Sequence, residues 1–475
     1  MKIKPRHLAI LVGATLVLTV VIALNCFVQD RTITIDNADQ VYADSVSEIR
    51  SASDMVLNIS TTTKICIGNS EFLETAQQRL AYSGFGSDDV LVSVEETRNI
   101  GDHSIQISES YNGTTAYLSM EVCQFSSEIS ADEYMARFAP AILLDAQLYS
   151  SITGVRDAET YTISFAQPTA AEGWALNDGS EFVDANGTAY ISRDGQLQKS
   201  IYFVTYTRGD ATISVTVTAE LSGSTDPIEM PQDTSGFVSI EYLDGLRMLE
   251  RATGYLLQAK ETYATYSDSS YFQAFGDERT QHISMYTHDA DSWSALVSTK
   301  VTLTNTSRID DISQLSKTEL FVNGAYTAST DGGVAVSNAD IDKNTMLAYC
   351  QNLLVGTIML PEHITDSQIS ETEETWLITY TAGDAFASAI SSDVCQRLYQ
   401  NPDMLDELAA SNTTDVMECY LELDKNSGLP VASGIRYSGT YTIEDVPYQL
   451  RFDADQNYDI VCETAIEEIN KAAGT

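Results

Sequence analysis

Thr160-Tyr161-Thr162-Ile163-Ser164-Phe165 returns in the second half of the chain as Thr375-Trp376-Leu377-Ile378-Thr379-Tyr380. Both stretches alternate apolar with polar side chains, the period of a strand with one covered face. Three further anchors repeat in the same order. Tyr111-Asn112-Gly113 has a counterpart in Phe321-Val322-Asn323-Gly324, the turn Asp194-Gly195 returns at Ser427-Gly428, and Ile228-Glu229-Met230-Pro231 falls where Ile460 falls. The offsets are 211 between Gly113 and Gly324, 215 between Thr160 and Thr375, 233 between Gly195 and Gly428, and 232 between Ile228 and Ile460. A jump of roughly 18 between the two pairs of offsets fits one insertion in the second copy, and the shared order reads as a duplicated unit.

Working outward, each copy follows one path. A helix opens it, over Asn37 to about Ser51 and over about Ile240 to Tyr263. The second carries Ile240, Leu243, Leu246, Leu249, Ala252 and Leu256 on one face. Alternating strands follow at Val90–Glu96 and Ser104–Ser110, joined at Gly101-Asp102, and at His282–Thr287 and Leu296–Leu303. Helical stretches are expected over 131–149 and 344–359, and again over 170–176 and 385–399. Each copy closes in a meander whose turns hold Asp194-Gly195, Gly209-Asp210 and Ser427-Gly428, residue types suited to positive φ. The expected class is α+β.

The N-terminus, Met1 to His7, carries Lys2, Lys4 and Arg6, and Leu8 to Gln29 is an uncharged run. As a helix this run spans about 33 Å, enough for a hydrocarbon core of about 30 Å. The reading is a cytoplasmic tail over 1–7, a transmembrane signal-anchor over 8–29, and the bulk of the chain outside the cytoplasm at the cell membrane. Lipidation of Cys26 and ordinary cleavage are the alternatives. The expected domains are 30–238 and 239–475. Six cysteines follow the run, Cys66, Cys123, Cys350, Cys395, Cys419 and Cys462, as three disulfides or as buried thiols.

The formal net charge is −42, and all 68 Asp and Glu lie beyond residue 29. Such a surface repels nucleic acid, which is excluded as a partner. Catalytic motifs are missing: no Gly-x-Ser-x-Gly, no His-Glu-x-x-His, no phosphate loop. His282, Ser284, Tyr286 and His288 alternate onto one strand face, but about 20 Å of strand separates the two histidines, too far for one ion. Asp453-x-Asp455-x-Asn457-x-Asp459 imitates a Ca²⁺ loop with Tyr458 in place of its glycine, and reads as a polar turn. Asp340 to Asn344 reads as a helix N-cap. No metal and no cofactor is expected, and no enzyme. Tyr161, Tyr202, Tyr206, Trp376 and Tyr380, with Phe165, alternate along strands and face one side; they are candidates for core or for the lining of a ligand cavity.

The segment Glu319-Leu320-Phe321-Val322-Asn323-Gly324-Ala325-Tyr326-Thr327-Ala328-Ser329-Thr330-Asp331-Gly332-Gly333 resembles the strand, turn and strand of LolA/LppX-like lipoprotein-carrier domains. The ending Tyr448 to Ile460 is similar to their last strand, and Val217 to Leu221 is a looser match. The resemblance covers about half of each copy. It implies tandem domains, each an unclosed antiparallel β-barrel or curved sheet packed on helices, with an apolar cavity for acyl chains. It implies a lipid or other hydrophobic ligand, or an envelope protein, as partner. A sensing or scaffold module that binds a partner protein, with a vestigial cavity, is the alternative, and an enzyme with an unrecognised site is a third reading.

Overall fold

A computed structural model describes residues 33–84, 87, 89–136, 142–169, 180–222, 227–274, 276–289, 292–304, 314–330, 336–338, 341–399, 413–443 and 445–473. Two antiparallel sheets carry the molecule. The first is built from β1 (Ile33–Ile35), β2 (Met55–Ile67), β3 (Ser70–Ser83), β4 (Leu91–Ile100), β5 (His103–Tyr111), β6 (Thr115–Ser119), β7 (Gln124–Glu128), β8 (Tyr149–Arg156), β9 (Thr160–Pro168), β10 (Glu181–Ser192), β11 (Leu197–Arg208) and β12 (Ala211–Leu221). A two-residue strand, β13 (Val238–Ser239), adds to it in parallel beside β7. The second comprises β14 (Glu261–Phe272), β15 (Gly276–His288), β16 (Trp293–Thr304), β17 (Gln314–Val322), β18 (Ala325–Thr330), β19 (Val336–Asn338), β20 (Ile364–Glu371), β21 (Thr375–Ala382), β22 (Thr413–Asp424), β23 (Pro430–Ile443) and β24 (Val446–Asp459). The described helices are α1 (Ala38–Ser51), α2 (Ala131–Ala136), α3 (Leu243–Gln258), α4 (Lys343–Leu354), α5 (Asp384–Tyr399) and α6 (Ala465–Ala473).

The strand order across the first sheet is β1-β8-β9-β10-β11-β12-β2-β3-β4-β5-β6-β7-β13. Across the second it is β20-β21-β22-β23-β24-β14-β15-β16-β17-β18-β19. Taking β8 with β20 and β7 with β19, the eleven shared places follow in one order. The turns Asp194-Gly195 and Ser427-Gly428 sit between corresponding strands, with Gly195 at φ +97° and Gly428 at φ +73°. The connection from β9 to β10 has 12 residues and that from β21 to β22 has 30. This difference of 18 is the jump in the sequence offsets, and the longer connection holds α5.

The α+β expectation is corrected: the protein is mostly β, with two large open sheets, neither closed into a barrel, and few helices. The physical reason lies in strands that the sequence does not announce, the longest of them β2, β3 and β14. Met55–Ile67 and Ser70–Ser83 form a long hairpin in which Thr61, Thr63, Glu74 and Gln78 occupy the covered face and blur the alternation. Glu261–Phe272 was read in part as the tail of a helix, but α3 ends at Gln258. The transmembrane helix, the signal-anchor and the single-pass membrane localisation are also withdrawn. Among the described residues no helix is long and apolar enough to cross a membrane, and the 8–29 run lies outside those residues. The helical stretch expected at 170–176 lies outside them as well.

Each sheet has one face, called inner here, that carries the buried side chains and the larger helices. Cross-strand partners place Tyr161, Phe165, Gly187, Tyr202, Val217, Thr61 and Ala76 on the inner face of the first sheet. Helix α1 packs over β8, β10 and β11. Helix α3 follows the first copy in sequence and packs between the sheets. It touches β4, β5 and β7 on one side and β20 and β23 on the other. Its Leu243, Leu246, Leu249, Ala252, Tyr255 and Leu256 are buried, and one continuous apolar core runs through both sheets. Gly254 marks the close approach to the first sheet: a Cβ there would meet Ile100 Cβ at 2.7 Å.

Candidate ligand-binding face

The five aromatic residues singled out from the sequence fall on two separate sheets. Tyr161, Tyr202 and Tyr206 lie on the inner face of the first, and Trp376 and Tyr380 on the inner face of the second. Tyr161 lies under the Arg193 guanidinium, 4.9 Å from its ring centroid. Tyr380 is core: it is 1% exposed and its hydroxyl donates to the Gly245 carbonyl at 2.8 Å. Burial pushes its phenol well above the ordinary range. Trp376 is half-buried, opposite Leu423 and Glu371.

The two sheets are covered differently at corresponding places. Arg208 pairs with Ala211 at one hairpin and Ile443 with Val446 at the other. Counting back from these pairs, Tyr202, Tyr206 and Val215 correspond to Tyr437, Tyr441 and Leu450. The second set is sealed, at 2%, 1% and 0% exposure. Helix α5 lies over them, with Ala387, Val394, Cys395 and Leu398 buried against β22, β23 and β24. The first set is half-buried, together with Val204 and Phe182 beside it. Burial pushes the Tyr202 phenol up. Among the described residues, Phe182, Tyr202, Val204, Tyr206 and Val215 form a half-buried aromatic and aliphatic patch over β10, β11 and β12, beside the part of the sheet that α1 covers and with Arg208 over the Tyr206 ring at 5.8 Å, whereas the corresponding places of the second sheet lie under α5.

Sequence reasoning missed a buried charged cluster beside this face. Glu74, Glu96 and Glu109, on β3, β4 and β5, are 4%, 6% and 1% exposed. Arg98 bonds Glu74 and, at 2.8 Å, Glu96. From α3, Arg247 bonds Glu109 and lies 3.6 Å from Glu96, while Arg251 and the Tyr255 hydroxyl reach Glu74 at 2.9 and 2.5 Å. Burial pushes Glu96 above the ordinary carboxylate range, and burial lowers Arg98 to about 10. Burial opposes the charge of Arg247, but Glu109, Glu96 and Asp244 outweigh it and its pKa is raised. Three carboxylates meet three guanidinium groups, a balanced set that positions α3. The readable signal was charge at an apolar parity, Val92-x-Val94-x-Glu96 and Ile105-x-Ile107-x-Glu109.

The remaining sequence candidates are structural in their contacts. His282, Ser284, Tyr286 and His288 share the inner face of β15 and are half-buried or buried. His282 stacks on Tyr266 with ring centroids 4.4 Å apart, and burial pushes both histidines down. Asp453, Asp455, Asn457 and Asp459 lie within β24, not at a turn; Asp455 accepts from Arg436 at 2.6 Å and from the Tyr420 hydroxyl at 2.6 Å. Asp342 caps α4, accepting from the Thr345 amide at 2.8 Å. The six cysteines beyond the N-terminal run are free thiols.

No family model and no curated protein matches the chain. Among solved structures it is similar to a DUF1329 family protein from Desulfovibrio piger, at 8% identity over 40% of this chain and 96% of that one, with a TM-score of 0.17. It is also similar to the MucA/MucB complex of Pseudomonas aeruginosa, at 10% identity over 66% and 97%, with a TM-score of 0.15. Scores this low fix neither fold nor function.

Proposed function

We propose that the chain is a non-catalytic binding module that holds an apolar, acyl-type ligand on the inner face of its first sheet. The supporting observation is the half-buried set Phe182, Tyr202, Val204, Tyr206 and Val215, partly open where the second sheet buries Tyr437, Tyr441 and Leu450 under α5. The part of these side chains that stays in contact with water forgoes about 25 cal/mol per Å² of apolar surface, which a bound hydrocarbon chain would recover. The tyrosines supply broad apolar rings with a polar tip. The LolA/LppX resemblance supports the same ligand class, since those domains shelter acyl chains against one face of a sheet.

The test is displacement of a dansyl-labelled undecanoic acid by oleate, with native mass spectrometry of the purified chain for co-purifying lipid. Val204→Asp places a charge in the middle of the face at a half-buried position. It should weaken probe binding at least about tenfold, or about 1.4 kcal/mol, in protein that its thermal midpoint shows still to be folded at the assay temperature. Probe binding unaltered by Val204→Asp, or no binding by the wild-type chain, rejects the reading.

A further inference from the structure

The apolar patch of the first sheet continues into a polar one along a single cross-strand row. Ala185 pairs with Val204, Val204 with Val215, Val215 with Thr63, and Thr63 with Glu74. These residues lie side by side on β10, β11, β12, β2 and β3, all on the inner face. At about 4.8 Å per strand the row is roughly 19 Å long. Helix α1 packs over β8, β10 and β11, and α3 over β4, β5 and β7, so β12 and β2 form the floor between the two helices.

Polarity changes in one direction along this row. Val204 and Val215 are half-buried, as are Tyr202 and Tyr206 on the neighbouring rows. Thr63 and, two residues away on the same face, Thr61 are half-buried too, and neither hydroxyl has a hydrogen-bond partner among the described residues. The floor itself holds no carboxylate. Glu181, Asp184 and Glu220, the acidic residues of β10 and β12, pair with Thr207, Thr205 and Lys199 on the opposite face, and β11 and β2 have none.

The row ends at Glu74, where two guanidinium groups meet one carboxylate. Arg98 bonds one oxygen, and Arg251 Nε and Nη2, at 3.1 and 2.9 Å, bond the other together with the Tyr255 hydroxyl. At the far end of the cluster Arg247 serves both Glu96 and Glu109. The charged set is therefore polarised, with its cationic end toward the floor. Arg251 is its most open member: its side chain is 40% exposed, against 22% for Arg98 and 20% for Arg247. Arg251 Nη1 makes no hydrogen bond among the described residues.

Resting on the acyl-ligand reading above, we infer that the ligand is an amphiphile with an anionic head, a long-chain carboxylate, that lies across the strands. Its chain covers Val204 and Val215, and its head meets the Thr61 and Thr63 hydroxyls and the open edge of Arg251. A guanidinium already oriented by a buried carboxylate loses little freedom in accepting a second anion. Charge-assisted bonds are roughly twice as strong as neutral ones, so a chain with a neutral head gains the floor and forgoes most of the head contact.

Laurate and dodecanol share a chain and differ in the head, and titration calorimetry on the full chain separates them. Laurate should bind at least about tenfold more tightly than dodecanol, and added salt should narrow the gap. Arg251→Gln should weaken laurate at least about tenfold and dodecanol much less, so that the two ligands converge. Thr63→Val keeps the shape of the floor and should weaken laurate about threefold or more through the lost hydroxyl; it carries the test if Arg251→Gln does not fold. Equal affinity of the wild-type chain for laurate and dodecanol overturns the anionic head while leaving the acyl reading in place. So does a laurate preference that survives in folded Arg251→Gln, or that Thr63→Val leaves untouched. Binding of neither ligand removes the acyl reading itself, and this inference with it.

Discussion

Position for position, the two copies give the same residue types different work. Tyr437 and Tyr202 occupy corresponding places, yet one is sealed under α5 and the other half-exposed. Removing a buried ring of this size costs about 3–5 kcal/mol, and a half-buried one roughly half of that. Tyr437→Ala should therefore lower the thermal midpoint about twice as much as Tyr202→Ala, and only Tyr202→Ala should weaken the acyl probe. Equal destabilisation by the two, measured by calorimetry, would show the first face to be covered like the second. A second contrast concerns Glu319, which corresponds to Glu109 through the β5–β6 and β17–β18 hairpins. Burial raises its carboxyl, but Lys317 at 2.9 Å and the hydroxyls of Tyr326 and Tyr349 at 2.7 Å outweigh it and hold it below the ordinary carboxylate range. A carboxyl depressed on folding contributes stability above its unfolded pKa and loses it as pH falls through the folded value. Glu319→Gln should destabilise at pH 7 and flatten the acid limb below about pH 4.5; an unaltered acid limb would remove Glu319 from the native charge network.

At the scale of the element, α3 carries an apolar stripe and a charged one. Its apolar stripe was legible from Leu243, Leu246, Leu249 and Leu256, because helical periodicity needs only local spacing. Its polar stripe was not, because Arg247 and Arg251 find their partners 138 and 177 residues away. Arg247→Met keeps the length of the side chain but leaves Glu109 and Glu96 buried with less compensation. It should cost about 3–5 kcal/mol, far above an exposed ion pair. The double variant Arg247→Met with Glu109→Leu should recover much of this, since apolar replacement of both partners removes the stranded charge. No recovery in urea unfolding would mean that the pair acts through geometry rather than charge. Helix α5 was legible twice, as a helical stretch over 385–399 and as the jump from offset 215 to 233. Strands β2 and β3 escaped because polar side chains on their covered face, Thr61, Thr63, Glu74 and Gln78, interrupt the pattern by which covered strands are recognised.

The two sheets are joined through α3 together with contacts outside it, and the part that α3 plays in the join can be tested. Helix α3 gives Gly245 to the second sheet, where an added Cβ would meet Ser367 Oγ at 3.1 Å and Ile378 Cγ2 at 3.3 Å. It gives Gly254 to the first, where the same atom would meet Ile100 Cβ at 2.7 Å. The second contact is the tighter, and Ile100 lies at 0% exposure at the end of a strand with no space to retreat. Gly254→Leu therefore pushes α3 away from the first sheet while its other face stays seated on β20 and β23. Overpacking of this kind costs about 1–3 kcal/mol, set against roughly 1 kcal/mol gained by removing a glycine from a helix interior. The displacement also strains the bonds from Arg247 and Arg251 to the first sheet, so the loss falls on coupling between the sheets more than on either sheet alone. The wild-type chain, with one core running through both sheets, should unfold in a single calorimetric transition. Gly254→Leu should split it in two, with the first sheet melting at the lower temperature. Gly245→Leu, aimed at the second sheet, should lower the midpoint of that sheet instead. A single transition in Gly254→Leu, merely shifted, would show that the sheets are coupled by contacts other than α3, such as Arg208 on the Lys425 carbonyl and Asn69 on Glu463.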